Sequence, residues 1–136
     1  MAGDHDLQNT VKMTVRGLVM DPTSNTPVVI LENPDGTLLL PIWIGVCEAN
    51  SIAMELEGVA PPRPMTHDLI HNLVKTTGFA VDHVLIHTLE ESIYKASIQL
   101  RDSESGLVEV DSRPSDAIAI ALRAEVDVLV LSLIHI

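Results

Sequence analysis

Aromatic residues are almost missing from this 136-residue sequence: Trp43, Phe79 and Tyr94 are the only three. That scarcity argues against a platform of stacked bases as the basis of any nucleic-acid binding. Cysteine is scarcer still. Cys47 stands alone, which excludes an internal disulfide and a cysteine-built zinc centre and points to a reducing, intracellular setting. Basic residues are few as well, eight Lys and Arg against nineteen Asp and Glu, for a formal net charge of −11. A general nucleic-acid binder draws most of its affinity from cations set against phosphates. Nucleic-acid chemistry here therefore requires a local basic pocket or a bound cation to offset the overall repulsion. The longest apolar runs are broken at Pro41 and Asp127, short of a membrane span. Met1 to Gln8 are polar and acidic, with neither the basic region nor the apolar segment of a signal peptide. The expectation is a cytoplasmic protein with no membrane association.

Aliphatic residues take the place of the missing aromatics. Hydrophobic residues make up 46% of the chain, and one domain of this length buries roughly two thirds of its unfolded surface. The reading is a single domain over residues 10–130, a tail over 1–9 and a distinct end over 131–136. Val11–Arg16 alternates apolar and polar residues as a half-buried strand does, and Gly17–Met20 extends it. Pro27–Leu31 is continuously apolar and reads as an internal strand. A turn at Asn33–Gly36 returns the chain through Thr37–Leu40, and Pro41–Gly45 leaves the sheet.

A helix over Val46–Glu57 presents Val46, Ala49, Ile52, Ala53 and Leu56 inward, with Glu48, Ser51 and Glu55 on the opposite face and Gly58 as its stop. Ala60–Pro64 is a stiff connector that fixes where Arg63 points. Thr66 then caps a helix that buries Leu69, Ile70, Leu73 and Val74 and ends at Gly78. Strands follow at Phe79–Thr88, at Tyr94–Arg101 with clean alternation, and after a turn over 102–106 at Leu107–Asp111, where Val108 and Val110 face one way and Glu109 and Asp111 the other. A last helix opens at Pro114. Its run Ala117–Leu122 has hardly a polar break and needs cover on more than one side, for which a subunit contact is the natural source. Val126–Val130 is the final strand. The fold class is α+β, a mixed, largely antiparallel sheet with about three helices.

Two Arg-Pro corners concentrate the ionisable groups. In Asp111-Ser112-Arg113-Pro114-Ser115-Asp116 a proline suited to the first helical position delivers Ser115 and Asp116 into a helix's opening turn. Arg63-Pro64-Met65-Thr66-His67-Asp68 does the same for Asp68. Unpaired amides and the helix dipole favour an anion there, so either aspartate alone is adequately explained as a helix-end carboxylate, with Arg63 and Arg113 as its partners. Asp111, Arg113 and Asp116 together exceed what a cap requires. His67 and His71 stand four residues apart on one helix, without the intervening Glu of a zinc motif. His83 and His87 read as solvated strand residues, Cys47 as a small core residue, Ser115 as a capping hydroxyl and Glu48 as a solvated first-turn residue.

The runs Leu40-Pro41-Ile42-Trp43-Ile44-Gly45, Glu48-Ala49, Leu56-Glu57-Gly58-Val59, Pro61 to Leu69 and Asp111 to Ala119 resemble, in this order, the bifunctional nuclease domain family, formerly a domain of unknown function. The likeness spans residues 12–130. It implies a compact α+β domain, a homo-oligomer, most simply a dimer, and nuclease activity on DNA and RNA of the kind attributed to plant members. Glu48, Arg63, His67, Asp68, Asp111, Arg113, Ser115 and Asp116 match the polar members of the family's motifs. Ser112 replaces an alanine, and Glu125 and Asp127 stand where the family has Gly and Pro. Members run on into an acidic stretch, whereas residues 131–136 match the translation of a transposon-end adaptor used in sequencing libraries. That end is expected to be non-native, and His135 is given no role.

On the enzyme reading, Glu48, His67, Asp68, Asp111 and Asp116 are the catalytic set. Asp68, Asp111 and Asp116 hold Mg²⁺ or Mn²⁺, which prefer oxygen ligands and acidify bound water. Arg63, Arg113 and Ser115 bind the substrate phosphate, and His67 serves as base or acid. No organic cofactor is indicated. The competing reading is a non-catalytic oligomeric module for regulation or ligand binding.

Overall fold

The alternation at Val11–Arg16 opens a long strand, β1 (Thr10–Asp21), and the β-branched run after Pro27 forms β2 (Thr26–Glu32). The structure is a computed structural model that describes residues 9–132 apart from 103 and 105. Residues 1–8 of the expected tail, Ser103 and Ser105 of the expected turn, and 133–136 with His135 lie outside the described residues. Gly36, at φ +73°, closes the turn onto Asn33, and the chain returns as β3 (Leu39–Trp43). Pro41–Trp43 therefore stays in the sheet, paired with Ile30, Val29 and Val28. A proline is tolerated there because β3 is an edge strand.

Next come α1 (Val46–Leu56), α2 (Thr66–Thr76), β4 (Ala80–Glu90), β5 (Ile93–Asp102), β6 (Gly106–Ser112), α3 (Pro114–Ala124) and β7 (Val128–Leu131). The strands form one sheet in the order β3-β2-β1-β7-β4-β5-β6, antiparallel except for β4 with β7. β1 serves two neighbours: residues 10–13 pair with β7 and 14–21 with β2, with an irregularity between Val15 and Gly17. This is the α+β class, with a mixed, largely antiparallel sheet and three helices among the described residues. No helix among the described residues is long and apolar enough to cross a membrane.

Helix α3 lies at the centre. Ala117, Ile118, Ala119 and Ala121 pack with Val84, Ile86 and Ala96 of the sheet and Ile52 of α1. The cover that its apolar run requires comes from within the chain, with α1 and α2 against it as well as β4 and β5. A neighbouring subunit is not needed for that purpose.

Helix α2 turns differently from its apolar periodicity, and α1 does so in part, with Ala49 and Ile52 on the core as expected. In α1 the buried residues are Ser51 and Ile52, while Val46 and Leu56 are exposed. In α2 the one buried residue is His67, and Leu69, Ile70 and Leu73 face outward at 52, 37 and 56% exposure. For α2 the reason is polar: it meets α3 through His67 and Asp68, side chains that α3 can hydrogen-bond, and supplies nothing to the apolar core, whereas α1 adds Ile52 to that core. Met65, not Thr66, is the N-cap of α2. Cys47, in the first turn of α1, is exposed. His83 is buried and His87 half-buried, because β4 has strands on both sides. Val108 and Val110 are substantially exposed on β6, the sheet's other edge.

Candidate functional site

Each helix begins with an acidic residue at its third position, and this local repetition builds the site. Glu48 of α1 accepts a hydrogen bond from the Gly45 amide (3.0 Å), and Asp68 of α2 accepts one from the Met65 amide (2.9 Å), each closing its helix's N-terminus. Each has a second oxygen to offer, and α3 supplies an arginine at either end. Arg113, the N-cap of α3, reaches Glu48 Oε2 at 3.4 Å. Arg123, in its last turn, reaches Asp68 Oδ1 at 2.7 Å. The third acid, Asp116, does not cap its own helix. Its Oδ2 takes Arg113 Nε (2.9 Å) and Nη2 (2.8 Å), and its Oδ1 takes His67 Nε2 (2.9 Å).

The protonation follows from the donors available. Burial works against the Asp116 carboxylate, but hydrogen bonds from His67 and Arg113 outweigh it and hold its pKa below the ordinary aspartate range. An ionised carboxylate only accepts, so His67 Nε2 carries a proton. Nδ1, on the other side of the ring, is hydrogen-bonded to the Ser51 hydroxyl, 2.8 Å away. Hydroxyl, imidazole and carboxylate in this order are the parts of a nucleophilic relay. Ser51, however, is buried inside α1, so the order here fixes the ring and, through Asp116, the guanidinium of Arg113. Asp68 is likewise depressed, chiefly by the Met65 amide, with Arg123 adding to it against burial.

Arg113 opens onto a cleft of about 370 Å³. Its walls are the end of β3 (Ile42, Trp43), the N-terminal turns of α1 (Gly45, Glu48) and α3 (Arg113, Pro114, Ser115), and the β4–β5 hairpin (Ser92, Ile93, Tyr94). Two of the chain's three aromatics thus share one wall system with an arginine. Their scarcity spoke against an aromatic platform, but Trp43 of β3 and Tyr94 of β5 line one cleft although their strands do not pair. The Trp43 indole N–H donates to Asp21 Oδ2 (2.9 Å).

The eight motif residues separate into groups. Glu48, Arg113 and Ser115 line the cleft. His67 and Asp116 stand immediately behind Arg113, and Asp68 belongs to the Arg123 pair. Ser115 is buried and makes no side-chain cap. Glu48 is largely buried instead of solvated. Arg63 is exposed and makes no hydrogen bond or ion pair among the described residues. Asp111 pairs with Ser97 across β5 and β6, on the face opposite Ala96 and the helices, with the Lys95 charge nearby. The carboxylates expected to share a cation are therefore not gathered, and no group of three or more His, Cys, Asp or Glu among the described residues is placed to hold a metal ion.

Ser51 and Arg123 are the members that sequence reasoning missed. Arg123 also donates to the Ala119 and Ser51 carbonyls, tying all three helices together. Its spacing from Asp116, two helical turns, was the available signal; for Ser51 it was a shared helix face with Glu48.

Comparison with known proteins matches residues 29–134 to the bifunctional nuclease domain, a span that takes in all eight motif residues. The chain is similar to an uncharacterized protein of Mycobacterium tuberculosis, 40% identical over 119 residues that make up 88% of this chain and 70% of that protein. It is also similar to Bifunctional nuclease 2 of Arabidopsis thaliana, at 32% identity over 105 residues, and to Bifunctional nuclease 1 of Oryza sativa subsp. indica, at 30% over 105. In both plant cases the match covers 75% of this chain and 32% of the plant protein.

Proposed function

The chain belongs to the bifunctional nuclease domain family, and from that premise we propose that it hydrolyses phosphodiester bonds of DNA or RNA at the cleft in front of Arg113. The observation that carries this reading is the guanidinium itself: 65% exposed at the cleft, yet held from behind by Asp116 and from the side by Glu48. An arginine so oriented meets a phosphate with two parallel N–H donors and stabilises the charge that grows on its oxygens during attack. The Glu48 contact, at 3.4 Å, is the weaker of the two, and an incoming phosphate displaces it. The freed carboxylate then accepts a proton from the attacking water. Water oxygen bonds to phosphorus, the bond to the leaving sugar oxygen breaks, and that oxygen takes a proton from solvent.

His67 and Asp116 are positioning residues on this account. The residues do not fit a resident divalent cation, since Asp68 and Asp116 are taken by arginines and Asp111 lies on another face. Chelation is accordingly an arm of the test. The exposed, single Cys47 suits the cytoplasm, where a thiol stays reduced.

The test is digestion of single- and double-stranded DNA and RNA, with and without EDTA, by the wild type, Glu48→Gln and Arg113→Met. Cleavage that survives EDTA and falls by about 100-fold in each variant is the expected result. No cleavage of any of the four substrates, or cleavage indifferent to both substitutions, overturns it. The reading would then pass to a non-catalytic ligand-binding module, which the already paired state of Glu48, Asp68 and Asp116 favours.

A homo-oligomer, in its simplest form a dimer, belongs to the same proposal. Its support is the stripe Met65, Leu69 and Leu73, exposed on a helix that supplies nothing to the core. The occupant is a second copy, which meets the stripe with its own. Light scattering on the wild type and on Leu69→Glu with Leu73→Glu tests this: the variant is expected to be monomeric, and an unchanged mass sinks the assignment.

A further inference from the structure

We infer that the Trp43 and Tyr94 side of the cleft is a base-stacking subsite for single-stranded nucleic acid, with Arg113 and Ser115 receiving the phosphate of the stacked nucleotide. The identity of the ligand rests on the nuclease reading; the subsite itself rests on what the cleft is made of. Trp43 is 55% exposed at the end of an edge strand, an open position for the chain's one tryptophan. Its indole is not free to swing, because its N–H is fixed on Asp21. A pre-oriented aromatic face loses little entropy when a planar ligand settles on it. Tyr94 is half-buried and packed against the core beneath, so the second ring is also held. Ile42 and Ile44, both nearly buried, complete the apolar part of the wall.

The polar part matches the other half of a nucleotide. Arg113 presents its guanidinium to the same cleft. Ser115 lines it too, only 5% exposed, with its hydroxyl in no hydrogen bond among the described residues. That hydroxyl lies at the cleft wall beside the guanidinium, and a phosphate oxygen bound to Arg113 is a suitable acceptor for its O–H. The cleft volume, about 370 Å³, lies within the range of small-ligand pockets.

Strandedness follows from the geometry of bases. In a duplex both faces of each base are covered by neighbours, so only an unpaired base can offer one to Trp43 or Tyr94. Acidic Glu48 and Asp21 flank the subsite, so the engagement is confined to about one phosphate. The salt dependence should accordingly be shallow, with a log–log slope of roughly −0.7 for a single-strand contact at one phosphate.

Because Trp43 is the sole tryptophan, its emission reports on this place alone. Phosphorothioate-linked oligodeoxythymidine, which resists hydrolysis, is titrated into the wild-type chain as a single strand and annealed to oligodeoxyadenosine; inorganic phosphate is the third probe. The single strand is expected to quench the emission saturably, the duplex to bind at least about ten-fold more weakly, and phosphate alone to leave it unchanged. Tyr94→Ala should weaken single-strand binding about five-fold or more, and Tyr94→Phe should retain it. Should Tyr94→Ala fail to fold, Trp43→Leu, a change at an exposed strand end, is read by anisotropy of a labelled strand and should show a similar loss. Equal quenching by duplex, no response to the single strand, or emission that follows protein concentration alone overturns the subsite. Quenching without cleavage in the digestion assay leaves the subsite standing and removes the nuclease. Cleavage with no quenching does the reverse.

Discussion

His67 Nε2 stands 2.9 Å from Asp116 Oδ1, and through this bond the turn after Arg63-Pro64 meets the turn after Arg113-Pro114. Both partners are otherwise engaged, His67 with Ser51 and Asp116 with Arg113, so one contact joins all three helices' N-terminal halves. Removing the ring leaves a buried hydroxyl and a half-buried carboxylate each short of a partner. His67→Ala is expected to lower unfolding stability by about 2 kcal/mol, read as a fall in the urea midpoint with unchanged slope. Combined with Asp116→Asn, the losses should fall well short of additive. Strict additivity would mean that the two side chains do not interact in solution.

Arg123 makes the parallel contact at the far end of α3. Its side chain is 6% exposed, while its partner Asp68 retains 25%. Arg123→Met strands a carboxylate in a poorly hydrated position and releases two carbonyls, at a cost of roughly 3 kcal/mol. Arg123→Lys should recover only part of this, since an ammonium cannot reach Asp68, the Ala119 carbonyl and the Ser51 carbonyl in one fork. Thermal unfolding of the two variants against wild type gives the order directly; a lysine variant as stable as wild type contradicts the bridging role.

The depressed pKa of Asp116 makes a pH prediction with a definite sign. The folded chain releases this proton more readily than the unfolded chain, whose aspartate titrates near about 3.9. The stabilisation is therefore fully present above that value and disappears as pH falls through the lower, folded value. In Asp116→Asn that contribution is gone. Urea midpoints at pH 7 and pH 3 should consequently differ less in the variant than in wild type, and the two proteins should converge towards the acid end.

Glu125 ends α3 in the left-handed region, at φ 56° and ψ 48°. A side chain there crowds its own carbonyl, whereas glycine does not. Glu125→Gly is expected to stabilise the fold by about 1 kcal/mol, seen as a higher melting temperature. No gain, or a loss, would show that the glutamate side chain has a compensating contact in solution.

Local chemistry was readable wherever it needed no neighbour. Pro114 opens α3, Gly58 and Gly78 follow the ends of α1 and α2 at positive φ, and the clean alternation of Tyr94–Arg101 is a strand. Each follows from allowed torsions and side-chain period alone. The inward face of α1 was right at Ala49 and Ile52 but not at Val46 and Leu56, and that of α2 was misread, because apolar periodicity says which residues share a face, not which face is buried. Where the neighbour offers hydrogen-bond partners, a polar face goes inward and the apolar one is left outside, as Ser51 and Leu69 show.

The motif residues, the fold class and the family membership were determined by the sequence by itself, since they reside in residue types and their order. Only the tertiary structure decided that His67 belongs to Asp116, that Asp68 belongs to Arg123, that Asp111 and Arg63 stand apart, and that Trp43 shares a cleft with Tyr94. Those are contacts between elements distant in the chain, and their geometry depends on strand order and helix rotation, which no short stretch of sequence contains.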